Sequence, residues 1–177
     1  MLTRPEPTEY AEFYKSYIAR VPEVPLLEFL AKQPGEYRQL LTEVSDAQAA
    51  APMTPGKWSI KQMLGHLCDG ERVMSYRVLR FARGDAKELH GYEQDDYVRE
   101  AGSNSRSLDD LLREFESARN ATLALFGSLP PGTETRGGRA NGYPITVRAL
   151  AYVVGGHTQQ HYELLKAHLG SKAALAS

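Results

Sequence analysis

Ala149-Leu150-Ala151-Tyr152-Val153-Val154-Gly155-Gly156-His157-Thr158-Gln159-Gln160-His161-Tyr162-Glu163-Leu164-Leu165 is the stretch on which the reading of this chain turns. At about 100° per residue, Val147, Leu150, Ala151, Val154, Leu164 and Leu165 fall on one stripe of a helix. His157 and His161, one turn apart, point into the middle of that stripe. A core-facing stripe should be apolar, since burying an imidazole without a partner costs free energy. Two readings meet that cost. Either each ring finds a partner within the core, or the two rings together hold a metal ion.

Three further amphipathic stretches precede this one. The first runs from about Leu26 to Val44, and Pro34-Gly35 is expected to kink or split it. The second starts at Ser59, an N-cap with Gln62 three residues on, which is the pattern of a capping box flanked by a Trp58/Met63 staple. Ile60, Met63, Leu64, Leu67, Met74, Val78 and Phe81 mark its apolar face, and Gly84-Asp85 ends it. The third begins at Ser107, with Asp110 at the capping-box position, and carries Leu108, Leu111, Leu112, Phe115, Ala118 and Phe126 on one stripe. The fourth opens after Thr146, with Ile145 and Leu150 as its staple, and is expected to end near Leu169-Gly170.

No strand-turn-strand alternation stands out between these helices. Thr133 to Pro144 reads as an irregular connection, and Asp85 to Arg106 as a long one enclosing the aromatic-acidic patch Gly91-Tyr92-Glu93-Gln94-Asp95-Asp96-Tyr97 and a short helix. A connection of that length is a crossover or a functional loop. The expected fold is all-α, a four-helix bundle with a long crossover between helices 2 and 3.

The 177 residues, 42% hydrophobic and 24% charged, read as a single domain over 1–177 with an N-terminal arm over 1–20. A net charge of −1 argues against a nucleic-acid partner, which calls for a basic face. No segment approaches the roughly 20 apolar residues of a membrane helix, and the first residues carry no apolar signal core. Cys68 is the lone cysteine, so no internal disulfide forms and a cytoplasmic location is expected.

A metal held by His157 and His161 needs a further ligand from another helix. His168 is on their stripe but about two turns from His161, roughly 10 Å, and reads as a helix-end residue favoured by the dipole. His90 lies in the long connection, where it could swing in or simply be solvated. His66 sits at the edge of the second helix's apolar stripe, a position suited to reaching a neighbouring helix. Cys68, two residues on, points to roughly the opposite side and reads as a small buried residue. Glu71 falls on the apolar face, either in a salt bridge with an Arg of a neighbouring helix or as an acceptor orienting a ligand histidine. The His157-x3-His161 spacing invites a zincin reading, but the general-base Glu that such a site needs is replaced by Thr158.

These blocks resemble the DinB/YfiT-like family of metal-dependent enzymes: Pro55-Gly56-Lys57-Trp58-Ser59, Gly65-His66-Leu67-Cys68-Asp69-Gly70-Glu71, Tyr76-Arg77-Val78-Leu79-Arg80, the Gly91–Tyr97 patch and Gly156-His157-x3-His161, in the family's order from about Tyr14 onward. The resemblance implies an up-down-down-up bundle, usually a homodimer. It also implies a divalent metal, zinc or nickel among others, on His66, His157 and His161. Its better-understood members are transferases that join a low-molecular-weight thiol to an electrophile, and a mycothiol-dependent isomerase. The family patch often has Asp and Trp where Glu93 and Tyr97 stand here.

Two classes of function follow. One is an enzyme in which the metal activates a thiol or a water for a small-molecule substrate, as a thiol S-transferase or alternatively a hydrolase. Tyr92, Asp95 and Tyr97 are its candidate pocket residues, and with Cys68 on the far side of its helix the thiol has to arrive as a cosubstrate. The other class is a non-catalytic metal-binding bundle of a stress response, which a fourth protein ligand would close.

Overall fold

The computed structural model describes residues 2–176, and their side chains through residue 171. An arm with two single-turn 3-10 segments leads into α1 (Lys15–Ile18), followed by α2 (Leu26–Leu40), α3 (Asp46–Ala50), α4 (Ile60–Ala82), α5 (Gln94–Glu100) and α6 (Leu108–Gly127). A hairpin, β1 (Gly137–Ala140) and β2 (Tyr143–Thr146), then feeds α7 (Val147–Ala176). The bundle consists of α2, α4, α6 and α7, with α2 and α4 each packed against both α6 and α7.

Side-chain pairing fixes the directions. Between α4 and α6, Arg72 meets Glu114, Glu71 meets Arg119 and Ser75 meets Thr122, so both sequences advance broadly together and the helices run parallel. Parallel neighbours need a crossover that returns the chain to the starting end. The segment from Asp85 to Arg106 supplies it, with α5 as its short helix. The topology is up-down-down-up, as expected.

Local sequence sets the helix starts. Ser59 Oγ accepts from the Gln62 amide at 3.0 Å and Gln62 Oε1 accepts from the Ser59 amide at 3.0 Å, completing the box at the head of α4. Ser107 Oγ accepts from the Asp110 amide, and Thr146 Oγ1 from the Ala149 amide. Leu164 departs from the expected stripe of α7 and is 54% exposed.

The interior has two apolar clusters with a polar layer between them. Along the bundle helices, buried polar residues lie where one cluster gives way to the other, and four of them face one another: Gln33 between Leu30 and Tyr37, Glu71 between Cys68 and Val78, Arg119 between Phe115 and Phe126, and Thr158 between Val154 and Leu165. Arg119 is the hub. Its Nε and Nη2 donate to the two carboxylate oxygens of Glu71 at 2.7 and 2.9 Å, Nη2 also to Thr158 Oγ1, and Nη1 to Gln33 Oε1 and the Leu30 carbonyl.

That last bond explains a correction. Of the kink or split expected at Pro34-Gly35 and the end expected at Val44, the split and that end do not hold: α2 is one helix from Leu26 to Leu40 with Pro34 inside it. Proline has no N–H for the carbonyl four residues back, Leu30. Arg119 donates to that oxygen at 2.8 Å, so the group the proline would orphan is satisfied from α6. A second correction concerns Thr133–Pro144, read as irregular. Asn141 and Gly142, at φ 51° and 81°, make a two-residue turn with both central residues left-handed, the geometry that joins twisted strands. The hairpin also pins the crossover: Leu89 N donates to Arg139 O and Asn141 N to Leu89 O, both at 2.9 Å.

The N-terminal half of α7 is buried on all sides, because the arm covers the face that the bundle leaves open. Tyr14, Ile18 and Val21 belong to the same cluster as Val153 and Val154. At Gly156 a Cβ would collide with the Tyr17 backbone carbonyl. Gly156→Ala is therefore expected to destabilise the protein by about 1–3 kcal/mol, reversing the ~1 kcal/mol that Ala normally gains over Gly in a helix. Hydrogen exchange should place the loss in residues 10–21. A variant as stable as the parent, with the arm equally protected, would show that this close approach is not required.

Candidate metal centre

α4 delivers one imidazole and α7 two. Nε2 of His66 lies 3.0 Å from Nε2 of His157, which lies 3.2 Å from Nε2 of His161. The ring planes cross at 67–83°, so three nitrogens converge from three directions on one point. His66 is buried, and the other two are half-buried. Trp58, just ahead of the α4 cap, covers the group with its ring 4.8 Å from that of His66 and stacked at 6.5 Å over that of His161.

Burial pushes His66 and His161 down to about 4 and holds His157 well below the usual histidine value, helped by the positive charge its neighbours and Arg119 would add. The rings are therefore neutral at physiological pH, the form that ligates a metal. Nitrogens around a tetrahedral ion at ~2.0–2.1 Å sit about 3.3 Å apart, close to the spacing here. Among the described residues, this set is the group of His, Cys, Asp and Glu side chains that could hold an ion, and it fits a divalent metal.

The lowered values have a sign for stability. In the unfolded chain the histidines protonate near 6.5, in the folded protein only near 4. Between those values the unfolded state binds more protons, so folding weakens as pH falls. Chelator-treated protein is expected to lose stability steadily between pH 6.5 and 4, and the metal-loaded protein to hold its stability further into that window. Denaturation curves across the range check this, and identical pH profiles with and without metal would contradict it.

The remaining sequence candidates separate clearly. His90 is exposed, with its carbonyl accepting from Arg77. His168 was read as a helix-end residue, but α7 continues to Ala176, so His168 lies within the helix. It lines the cleft that also touches His161. Cys68 is buried, and burial drives its thiol up to about 12. Glu71, weighed as a salt-bridge partner or as an acceptor for a ligand histidine, has both carboxylate oxygens on Arg119. Of the patch residues, Tyr92 lines a cavity with His66 and His157, and Asp95 the cleft at His161. Tyr97 does not join them. Its ring packs 4.8 Å from that of Tyr92 but lines a separate groove beside Asp69 and Glu100, because the turn of α5 carries it away from the histidines.

Several residues of the site went unread in the sequence. Arg119 and Gln33 interrupt apolar stripes as Glu71 does, and that interruption was the available signal. Arg77 is 3% exposed and lines the cavity with His66 and His157.

Two openings reach the histidines. One cleft of about 750 Å³ ends at His161 and is lined by Met53, Trp58, Met63, Asp95 and Ala167 among others. A cavity of about 360 Å³ ends at His66 and His157, between Tyr14, Tyr17, Met74 and Tyr92. Gln94, at the start of α5, borders both.

No curated protein matches the chain. Solved structures that share its fold include two that are described by name. YfiT from Bacillus subtilis, described as a probable metal-dependent hydrolase with an unusual four-helix bundle topology, superposes with a TM-score of 0.69 at 18% identity, over 95% of this chain and 94% of that one. The mycothiol-dependent maleylpyruvate isomerase superposes with a TM-score of 0.64 at 13% identity, over 79% of this chain and 60% of that one. Among the described residues no helix is long and apolar enough to cross a membrane. The sequence profile of the DinB superfamily matches residues 30–165, and the chain belongs to that family.

Proposed function

We propose that His66, His157 and His161 bind a divalent metal ion, zinc or nickel, and that the protein joins a low-molecular-weight thiol to a small electrophile. The observation that carries this reading is the pair of separate openings meeting at the histidines, one at His161 and one at His66 and His157. Two openings give each of two organic substrates its own approach to the histidines, whereas addition of water uses one. An ion held there supplies Lewis acidity, lowering the pKa of a thiol or water brought to it. The protein's own Cys68 is unsuited as nucleophile, since it is buried and its thiol stays protonated. Trp58 and the aromatic walls of the smaller cavity exclude water around the reacting groups.

Hydrolysis is the second reading, favoured by the description of YfiT. The experiment that separates them starts from protein purified without a histidine tag, analysed for metal, and incubated with 1-chloro-2,4-dinitrobenzene and with a panel of thiols and esters. A bound metal with thiol-dependent thioether formation, chloride leaving as the S–C bond forms, is expected. Metal-dependent ester cleavage without any thiol would favour the hydrolase, and protein that takes up no metal would overturn both. Chelation is expected to lower the melting temperature while helical circular dichroism persists, since the two apolar clusters pack without the ion. Complete loss of helix would make the ion structural.

A further inference from the structure

Among the described residues, three cationic side chains are buried: Lys61, Arg77 and Arg119. Lys61 is held by the Asp46 carboxylate at 2.8 Å, and Arg119 by both oxygens of Glu71. Arg77 has no such counter-charge: no carboxylate of the described residues lies within ion-pair distance. Its Nη2 donates to the His90 carbonyl at 3.1 Å, Nη1 reaches the Met74 sulfur at 3.8 Å, and the guanidinium is also within hydrogen-bonding reach of the Tyr14 hydroxyl. A buried guanidinium is always charged, so this arrangement leaves its charge facing neutral groups alone, at a free-energy cost that an anion would relieve. Arg77 also lines the cavity that ends at His66 and His157.

We infer that Arg77 is the anion-recognition residue of that cavity and that the substrate entering there carries a carboxylate attached to a flat, unsaturated or aromatic body. This rests on the proposed function for what happens at the histidines, but the binding itself does not. The fork of the guanidinium matches a carboxylate through two parallel hydrogen bonds. Tyr14, Tyr17, Met74 and Tyr92 are among the other walls of the cavity and suit a planar apolar body. Glu93 stands at the exposed rim and would repel a second negative charge there, which favours a single carboxylate directed inward. With the carboxylate on Arg77, the other end of the molecule faces the two imidazoles. A dianionic phosphate suits the site less, because Arg77 is the one cationic side chain among the lining residues and Glu93 stands at the rim.

The test uses benzoate and its neutral isostere benzamide, titrated calorimetrically into full-length protein in chelated and in zinc-loaded form, with inorganic phosphate as a further arm. Benzoate is expected to bind about tenfold or more tightly than benzamide in both forms, and Arg77→Gln to remove that preference. Arg77→Lys keeps the charge but not the fork and is expected to retain only part of it. Equal binding of benzoate and benzamide by the parent protein, which requires no variant to fold, would overturn the inference. So would a benzoate preference that persists in Arg77→Gln, or phosphate binding tighter than benzoate. Failure of zinc uptake, measured separately by elemental analysis, would count against the metal reading alone and leave the benzoate comparison decisive for Arg77.

Discussion

Arg119→Ala is expected to destabilise the fold by about 3–5 kcal/mol, a large part of the ~5–15 kcal/mol that holds a protein of this kind together. The substitution leaves Glu71 as a buried carboxylate without a counter-ion. It also orphans the Leu30 carbonyl, which Pro34 cannot serve, together with Gln33 Oε1. Chemical denaturation at neutral pH reads the loss. Arg119→Met combined with Glu71→Leu removes both charges and is expected to recover most of the loss, as apolar replacement of buried ion pairs often does. A loss below about 1 kcal/mol in Arg119→Ala would show that the polar layer contributes no more than a surface ion pair.

The second large effect concerns metal affinity. His66→Ala, His157→Ala and His161→Ala are each expected to weaken binding by about a hundredfold or more, taking roughly a quarter of the ~10–16 kcal/mol that a four-ligand zinc site yields. His90→Ala, His168→Ala and Cys68→Ser should leave metal content unchanged. His90 is exposed in the crossover, and Cys68 lies among Met63, Leu67 and Leu112 in the second apolar cluster. Elemental analysis after dialysis against limiting zinc decides the series. Loss of metal in His90→Ala with retention in His66→Ala would mean that the crossover, and not α4, completes the site.

The sequence made the site's helices legible because the signals there are local. Ser59 and Gln62 lie within one turn, so the register of α4, and hence the direction of His66, could be read without any tertiary knowledge. His157 and His161 share one helix face for the same reason. What escaped reading depends on partners far apart in sequence. Pro34 ordinarily argues for a break, and its acceptance rests on Arg119, 89 residues beyond Leu30. The all-round burial of the first half of α7 depends on an arm more than a hundred residues upstream. The hairpin is a different failure: Asn141-Gly142 was a local turn signal, obscured because β1 is Gly-Gly-Arg-Ala and lacks the alternation that marks a strand.

Thr158 has a consequence for what chemistry this helix can evolve toward. It directly follows the first histidine, where a zincin carries its general base. Here that position is 2% exposed; its hydroxyl accepts from Arg119 and its carbonyl accepts from Tyr37. A glutamate introduced at 158 would face a guanidinium across the bundle and compete with Glu71 for it, instead of facing a substrate. A single nucleophile-activating substitution therefore cannot convert this helix into a peptidase. Any proton acceptor for catalysis must be recruited from the walls of the two openings, where the segment ahead of α4 and the crossover contribute alongside the bundle helices.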